Sequence, residues 1–349
     1  MAKKRKTLPA DLQEIIDSGD MQKFAEVFDK CEINATDRGK TTRNVFSYHN
    51  LTIDHVRFLC EHGIDVNGDS GWGQTPAAFL ADDMEMLKCL IEHGADIEHS
   101  VTKNSGSALF YCAWTHRAGA VKNLLACGAD PQPRGGWDND TALDEALRTH
   151  NIDTVKMADI AVALLAAGAV ISEKTKGYVE QIGRNFEFMR DNIAEDCVDE
   201  LSEGLSRLYE IFDVPPVPRR VKHDGKTRIT VKSKLWHEQQ AELWEMLVPG
   251  SGHANTVQGE VIRITGRVAF ELLDNGGINW DEEYRKMVKA LPGYFRTAGG
   301  EAAGKACEAA AKISSKSDKQ EIYYLTKLAV EWVLANPDPI PLENVDYGR

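Results

Sequence analysis

Glu92-His93-Gly94-Ala95-Asp96 follows an apolar helical run, and variants of this phrase recur along the first half of the 349-residue chain. The variants are Glu61-His62-Gly63-Ile64-Asp65, Ala126-Cys127-Gly128-Ala129-Asp130 and the degenerate Ala167-Gly168-Ala169-Val170. Their glycines lie 31, 34 and 40 residues apart. Self-similarity with a period of about 33 residues predicts a solenoid of stacked helix pairs, an architecture that favours binding over chemistry.

The unit that ends at Gly94 contains every expected element of such a repeat. Thr75 before Pro76 predicts an N-cap, because a threonine hydroxyl accepts from first-turn amides and proline suits the first helical position. A short helix is predicted from Ala77 to about Asp82, and a second from Met84 to Glu92. Gly94 then predicts a left-handed C-cap, a conformation that residues with a β-carbon adopt only at a cost.

These residues resemble the ankyrin repeat. The resemblance rests on Gly73-Gln74-Thr75-Pro76 and on the glycine phrases at 63–65, 94–96 and 128–130. It covers about residues 9–190, in about five units with degenerate caps. The histidine of the family's Thr-Pro-Leu-His turn is replaced in three units, by Ala78, Phe110 and Asp144. The resemblance implies an array with β-hairpin fingers and a concave face that binds proteins and is not catalytic.

Two tryptophans fall on predicted finger tips, Trp72 in Ser70-Gly71-Trp72-Gly73 and Trp137 in Gly135-Gly136-Trp137-Asp138. Tryptophan is enriched at binding hot spots, and a glycine-flanked aromatic on a projecting turn is hard to bury. Folding back onto a neighbouring finger is the alternative. Together with residues nearby on the fingers and on one helix, they form the predicted partner-binding set: Trp72, Trp137, Tyr111, Trp114, Asp69 and Asp138.

The charge and cysteine content restrict the function classes. The net charge is −13, and both halves of the chain are acidic. Neither half has the global charge expected of a general nucleic-acid binder, and a partner with a basic surface is favoured. The seven cysteines form no CxxC pair and no metal-ligand spacing, which predicts reduced thiols in a cytoplasm. His62 and His93 recur with the repeat and are predicted to lie at loop edges. No metal, cofactor or membrane span is therefore predicted.

The predicted fold is mainly α: an ankyrin-type solenoid followed by an all-helical bundle with a small β-hairpin. The segments are a disordered basic N-terminus (1–8), the array (9–190), a connecting helix (191–213), a proline-rich linker (214–220), a helical C-terminal domain (221–340) and a tail (341–349). The hairpin is predicted at His223-Asp224-Gly225-Lys226, with a strand at 228–231. About five helices follow, one capped by Asn255 with Gln258 and another ended by Pro292-Gly293. The stretch 236–280 resembles a domain of uncharacterised bacterial and phage proteins.

One cluster in this second half could be a ligand site. A glycine-rich loop precedes a helix N-terminus, a geometry that favours anions. The candidate residues for an anion or small ligand are His253, Gln258, Glu260, Arg263 and Arg267. The alternative is a capped amphipathic helix whose charges pair along one face.

The leading functional hypothesis is a non-catalytic interaction protein, an inhibitor or immunity-type protein of bacterial or phage origin that occludes a protein target. No HExxH, nucleophile elbow, aspartate cluster or dinucleotide fingerprint is present, so no catalytic residue is predicted. The second hypothesis is a C-terminal enzyme or anionic-ligand module that the array targets to its substrate. The weakest is nucleic-acid binding through the basic segment 219–234. A homo-oligomer through the C-terminal domain is also possible.

Overall fold

In the computed structural model, residues 3–39, 42–148, 152–298 and 300–348 are described. The chain divides into two compact units, one of residues 1–185 and 195–217, the other of residues 186–194 and 218–349. The described residues contain sixteen α-helices and four short strands. The prediction of a mainly α fold with a helical array is therefore confirmed. Within the described residues, none of the helices has both the length and the apolar stretch required to cross a membrane.

The first unit is a two-layered stack of helix pairs. Its elements are β1 (Arg5–Thr7), α1 (Leu12–Asp17), α2 (Met21–Lys30), β2 (Cys31–Thr36), α3 (Ile53–Glu61), α4 (Pro76–Leu80), α5 (Met84–Glu92), α6 (Ala108–Trp114), α7 (Ala118–Ala126), β3 (Arg134–Gly135), β4 (Asp140–Thr141), α8 (Ala142–Arg148), α9 (Thr154–Ala166), α10 (Glu173–Met189) and α11 (Glu195–Phe212). The last residues of α10, 186–189, belong to the second unit. In one layer α4, α6 and α8 pack in succession, and in the other α3, α5, α7 and α9 do so. Leucines on both layers, such as Leu90 and Leu109, are fully buried between them.

Every glycine stop forms the same reverse turn. The four glycines have positive φ: Gly63 at +80°, Gly94 at +92°, Gly128 at +91° and Gly168 at +107°. In the copy at Gly94, the amide of Ala95 donates to the carbonyl of Leu90 at 2.9 Å, and the amide of Gly94 donates to Ile91 at 3.0 Å. This pair of bonds is a Schellman motif, which satisfies carbonyls that the helix end leaves open. The C-caps predicted from sequence are formed as expected.

The aspartate of each phrase joins one repeat to the next. Its backbone amide donates to a side chain about one repeat earlier in the chain. The three bonds run from Asp65 to Asn34, from Asp96 to Asn67 and from Asp130 to Glu98, each 2.8 Å long. The carboxylate of Asp96 also accepts from the Glu98 amide at 2.9 Å, which closes an Asx turn. The phrase therefore ends a helix and also fixes the step between repeats.

The prediction of a disordered N-terminus is wrong for the described part of residues 1–8. β1 pairs in parallel with β2, with Arg5 opposite Cys31 and Thr7 opposite Thr36. The Leu8 amide donates to the Thr36 carbonyl at 2.9 Å, and the Leu8 side chain is buried. Strand hydrogen bonds and this one buried leucine hold the segment in place, although its lysines and arginine suggested a solvated tip.

Two predicted helix caps differ in the structure. Thr75 makes no side-chain cap bond. α4 begins with Pro76, and it is the Thr75 carbonyl that accepts from the Ala78 amide at 3.0 Å. The cap assigned to Asn255 is made by Thr256, whose hydroxyl accepts from the Gly259 amide at 3.1 Å. The side-chain amide of Gln258, the supposed capping partner of Asn255, donates instead to the carbonyls of Asn336 and Asp338.

The second unit is a bundle around one central helix, which confirms the predicted helical domain. Its helices are α12 (Trp236–Leu247), α13 (Val257–Ala269), extended by a π-helical turn (Phe270–Asp274), α14 (Glu282–Arg296), α15 (Glu301–Lys312) and α16 (Lys319–Ala335). α13 packs against α12, α14 and α16. In the core, the Trp332 ring lies edge-on to Phe295 and its indole nitrogen donates to the Phe295 carbonyl at 3.0 Å.

Two further predictions for this unit are wrong. No hairpin forms at 223–231: Asp224 closes a turn, but the Ile229 amide bonds the Pro337 carbonyl at 2.8 Å, so this segment pairs with the chain after α16. Pro292 does not end its helix, since α14 continues to Arg296. Leu291 and Phe295 are both fully buried, and their packing outweighs the hydrogen bond that proline removes.

The glycine turn predicts opposite effects for two glycine-to-alanine changes in the same unit. Gly94→Ala should lower the free energy of unfolding by about 1–2 kcal/mol, because a β-carbon there strains a left-handed residue. That β-carbon would have no atom within 4 Å, so crowding adds nothing.

Gly177→Ala is the matched control. Gly177 lies in α10 without positive φ, also with open space around it, so alanine should raise stability by about 0.5–1 kcal/mol. Urea denaturation of both variants measures the difference. Equal effects of the same sign would show that the conformation of Gly94 does not govern the turn.

Candidate functional site

The first finger holds Trp72 in an unusual backbone conformation. Trp72 has φ +54°, which is rare for a bulky residue. Residues in such strained conformations cluster at binding and active sites. The carboxylate of Asp69 accepts from the amides of Gly71 at 2.7 Å and Gly73 at 3.1 Å, so it braces the turn from inside. The Trp72 side chain is 55% exposed. Asp69, predicted to contact a partner, therefore orients the tryptophan.

The second finger presents Trp137 at the tip of a hairpin. β3 and β4 pair in antiparallel fashion, with Arg134 opposite Thr141 and Gly135 opposite Asp140. Trp137 lies in the connecting turn and is 90% exposed, so it does not fold back onto a neighbour. Asp138, beside it, is exposed as well.

Aromatic side chains continue from the first finger onto α6. The ring centroids of Trp72 and Phe79 are 6.1 Å apart, those of Phe79 and Tyr111 6.2 Å, and those of Tyr111 and Trp114 5.8 Å. Such spacings are typical of favourable aromatic pairs. The Arg43 guanidinium lies 5.7 Å from the Trp72 ring. The row of rings leaves Trp114 51% exposed at its far end.

An open cavity of about 350 Å³ lies on the first unit, beside this row of rings. Four of the six side chains predicted to bind a partner line it: Trp72, Tyr111, Trp114 and Trp137. Asp69 and Asp138 are not among the lining residues. The structure therefore brings together, in one concave surface, aromatic residues from two fingers and from the helix between them, hereafter called the aromatic cavity.

Sequence reasoning missed the floor and the charged edge of the aromatic cavity. Phe110 lies beneath the second finger. The finger backbone comes close to the backbone of Gly106: a β-carbon on Gly135 would lie only 2.8 Å from it, so glycine permits this approach. Glu145 and Arg148 form the edge. The Arg148 guanidinium donates to the Glu145 carboxylate at 2.7 Å, and this hydrogen bond raises the pKa of Arg148. The Gly135-Gly136 pair was the available signal for close packing.

The comparison with protein-family models agrees with this architecture. Residues 48–134 match the family model for ankyrin repeats, in three copies. The crystal structure of an ankyrin repeat domain from Acinetobacter baumannii AYE aligns with 56% of this chain and 96% of its own, at 22% identity and a TM-score of 0.38. No curated protein sequence matches the chain. Ankyrin repeats are protein-interaction modules, so this part of the chain has an interaction function.

In the second unit, the proposed anion residues form a buried network instead of an open site. Glu260 is fully buried and accepts from Arg263 at 2.6 and 2.9 Å, from the Ala254 amide at 3.0 Å and from the Tyr347 hydroxyl at 2.8 Å. Burial favours the neutral acid, but the bonds from Arg263 and Ala254 outweigh it and lower the pKa of Glu260. His253 lies 3.1 Å from Arg263. The arginine is therefore already neutralised by its own chain.

The other two predicted anion residues lie apart from this network's ion pair. The Gln258 amide donates to the carbonyls of Asn336 and Asp338 and accepts from the Ile340 amide, so it anchors the chain after α16. Arg267 lines a separate cavity of about 530 Å³ whose lining includes Trp244. The five residues do not converge on one pocket, as an anion site would require.

The basic segment 219–234 is partly engaged by its own unit. Arg220 stacks on Phe188 with 4.2 Å between guanidinium and ring centroid, and it donates to the Glu245 carbonyl at 2.6 Å. Lys222 pairs with Asp191, and Arg228 lies 3.7 Å from Asp338. These contacts reduce the positive charge that the segment could offer to phosphates.

The buried ion pair predicts a large effect for Glu260→Gln. The change leaves the Arg263 charge buried without its carboxylate, which should cost about 3–5 kcal/mol of unfolding free energy. Because the fold lowers the Glu260 pKa, its contribution is present above the ordinary carboxyl pKa and is lost as the pH falls through the lowered value. The difference in unfolding free energy between Glu260→Gln and the wild type should therefore become smaller as the pH is lowered.

The control is Glu301→Gln, which breaks an exposed pair with Lys305 and should leave stability unchanged. Chemical denaturation of both variants across an acidic pH series makes the measurement. A Glu260→Gln protein as stable as wild type would show that the network is not structural.

Proposed function

We propose that the protein is a non-catalytic binding protein and that the aromatic cavity is its partner-contacting surface. The observation that carries the proposal is the convergence of Trp72, Trp114 and Trp137, all at least half exposed, on one concavity of the array. Exposed aromatic residues around a cavity are the usual composition of an interface hot spot.

The rigidity of this surface supports the same proposal. Asp69 fixes the first finger by two hydrogen bonds, and β3 with β4 fixes the second. A loop whose backbone is already held in place loses less conformational entropy when a partner binds. A partner side chain inserted between the fingers would contact tryptophans from both.

The partner has a basic surface, and the protein acts by covering it. Residues 1–190 carry 28 acidic and 21 basic side chains, and Asp138 lies exposed beside Trp137. Charge of this sign steers a basic partner towards the array. Occlusion of a target in the cytoplasm, as an inhibitor or immunity-type protein does, is the function that a rigid acidic array without recognised catalytic motifs performs most directly.

The two alternatives receive less support. A ligand site of the predicted kind would need its five residues to converge on one cavity. Arg267 instead lines a cavity apart from Glu260 and Arg263, which neutralise each other in the core. Nucleic-acid binding would need the basic segment to be free, whereas Arg220 and Lys222 are engaged within their own unit.

The test is affinity capture from the native host with wild type and with the double variant Trp72→Ala/Trp137→Ala. We expect a stoichiometric partner with wild type. Calorimetric titration of that partner should show binding weakened by at least about 100-fold in the double variant, since each hot-spot tryptophan contributes about 2 kcal/mol or more.

Trp236→Ala is the matched control, because it removes a partly exposed tryptophan of the second unit. It should bind the partner as wild type does, and circular dichroism should show all three proteins folded. A partner that binds the double variant with undiminished affinity would contradict the proposed surface.

A further inference from the structure

Three potential metal ligands meet on the layer of the array formed by α3, α5 and α7. Cys60 lies near the end of α3, and Cys89 and His93 lie one turn apart at the end of α5. One donor atom from each lies within 4.8 Å of the other two. None of the three lines the aromatic cavity.

The geometry is close to that of a tetrahedral metal site. With Zn–S near 2.3 Å and Zn–N near 2.0–2.1 Å, the edges of a tetrahedron are about 3.8 Å between sulfurs and about 3.6 Å between sulfur and nitrogen. The Cys89 Sγ lies 3.9 Å from the His93 Nδ1. The same nitrogen donates to the Cys89 carbonyl at 2.8 Å, so a bound ion would replace that hydrogen bond.

The two sulfurs are shielded from solvent, whereas the histidine is accessible. The two thiols are 8% and 5% exposed, while His93 faces solvent and leaves a path for an ion.

We propose that Cys60, Cys89 and His93 bind one thiolate-seeking divalent ion of the Zn²⁺ class, with the fourth position open to solvent. Binding forms two metal–sulfur bonds and one metal–nitrogen bond. The two thiol protons are released to water, and the imidazole proton of His93 moves from Nδ1 to Nε2. The ion joins α3 to α5 and so ties two consecutive repeats together.

This proposal departs from the expectation that the chain holds no metal. The cysteine spacing gave no signal, because the two sulfurs come from helices of different repeats, 29 residues apart. The available signal was Cys89 followed four residues later by His93, which places both side chains on one face of a helix. Only the packing of α3 on α5 adds the third donor.

The experiment is a Co²⁺ titration of the full chain, reduced, stripped by a chelator and kept free of oxygen. Co²⁺ replaces Zn²⁺ in such sites, and its absorption spectrum reports the ligands. We expect one ion per chain, thiolate-to-cobalt charge-transfer absorption and the intense visible bands of tetrahedral cobalt. Zn²⁺ should displace the cobalt and raise the unfolding temperature.

Cys60→Ser, Cys89→Ser and His93→Ala should each weaken the affinity by more than about 100-fold, beyond the usual effect of losing an outer-shell partner. His93 is exposed, so His93→Ala should fold even if a buried serine does not. Its unfolding temperature should not respond to Zn²⁺.

His62→Ala is the matched control, since His62 occupies the corresponding position before Gly63 and is also exposed. Cys127→Ser removes a thiol from another helix end. Both should bind Co²⁺ as wild type does. A cobalt spectrum without thiolate bands, or equal affinity in wild type and His93→Ala, would overturn the proposal.

Discussion

The array depends on the reverse turn at the end of each second helix and on the hydrogen bond that follows it. At Gly94 the left-handed residue lets the amide of Ala95 reach back to Leu90, and two residues later the Asp96 amide bonds the Asn67 side chain. A net contribution of about 1 kcal/mol for such a bond is modest. The bond matters because it recurs at three repeat boundaries. At each one it sets the direction in which the next finger begins.

The function proposed for the first unit follows from that repeated step. Fingers held at a constant spacing place Trp72 and Trp137 on either side of α6, where Tyr111 and Trp114 complete the aromatic cavity. Cys60, Cys89 and His93 meet on the other layer, formed by α3, α5, α7 and α9. One face therefore presents rigid aromatic residues to a partner, and an ion on the other layer would stiffen the repeats that hold one of those fingers.

Local patterns in the sequence predicted much of this. The glycine phrases located the helix ends, and the bounds of α5 agree with its apolar spacing. Features that depend on tertiary packing were not visible. Packing of Leu291 and Phe295 carried α14 through Pro292, and burial turned Glu260 and Arg263 from a candidate anion site into an internal ion pair. The same limit applies to the array, where the floor of the cavity and the thiol cluster join residues from different repeats.

Amide hydrogen exchange with and without the captured partner tests the central claim most directly. If the partner binds the aromatic cavity, protection should appear in the finger segments 69–74 and 134–141 and in α6, while α12 to α16 exchange unchanged. Protection confined to the second unit, with both fingers exchanging as in the free protein, would contradict the account.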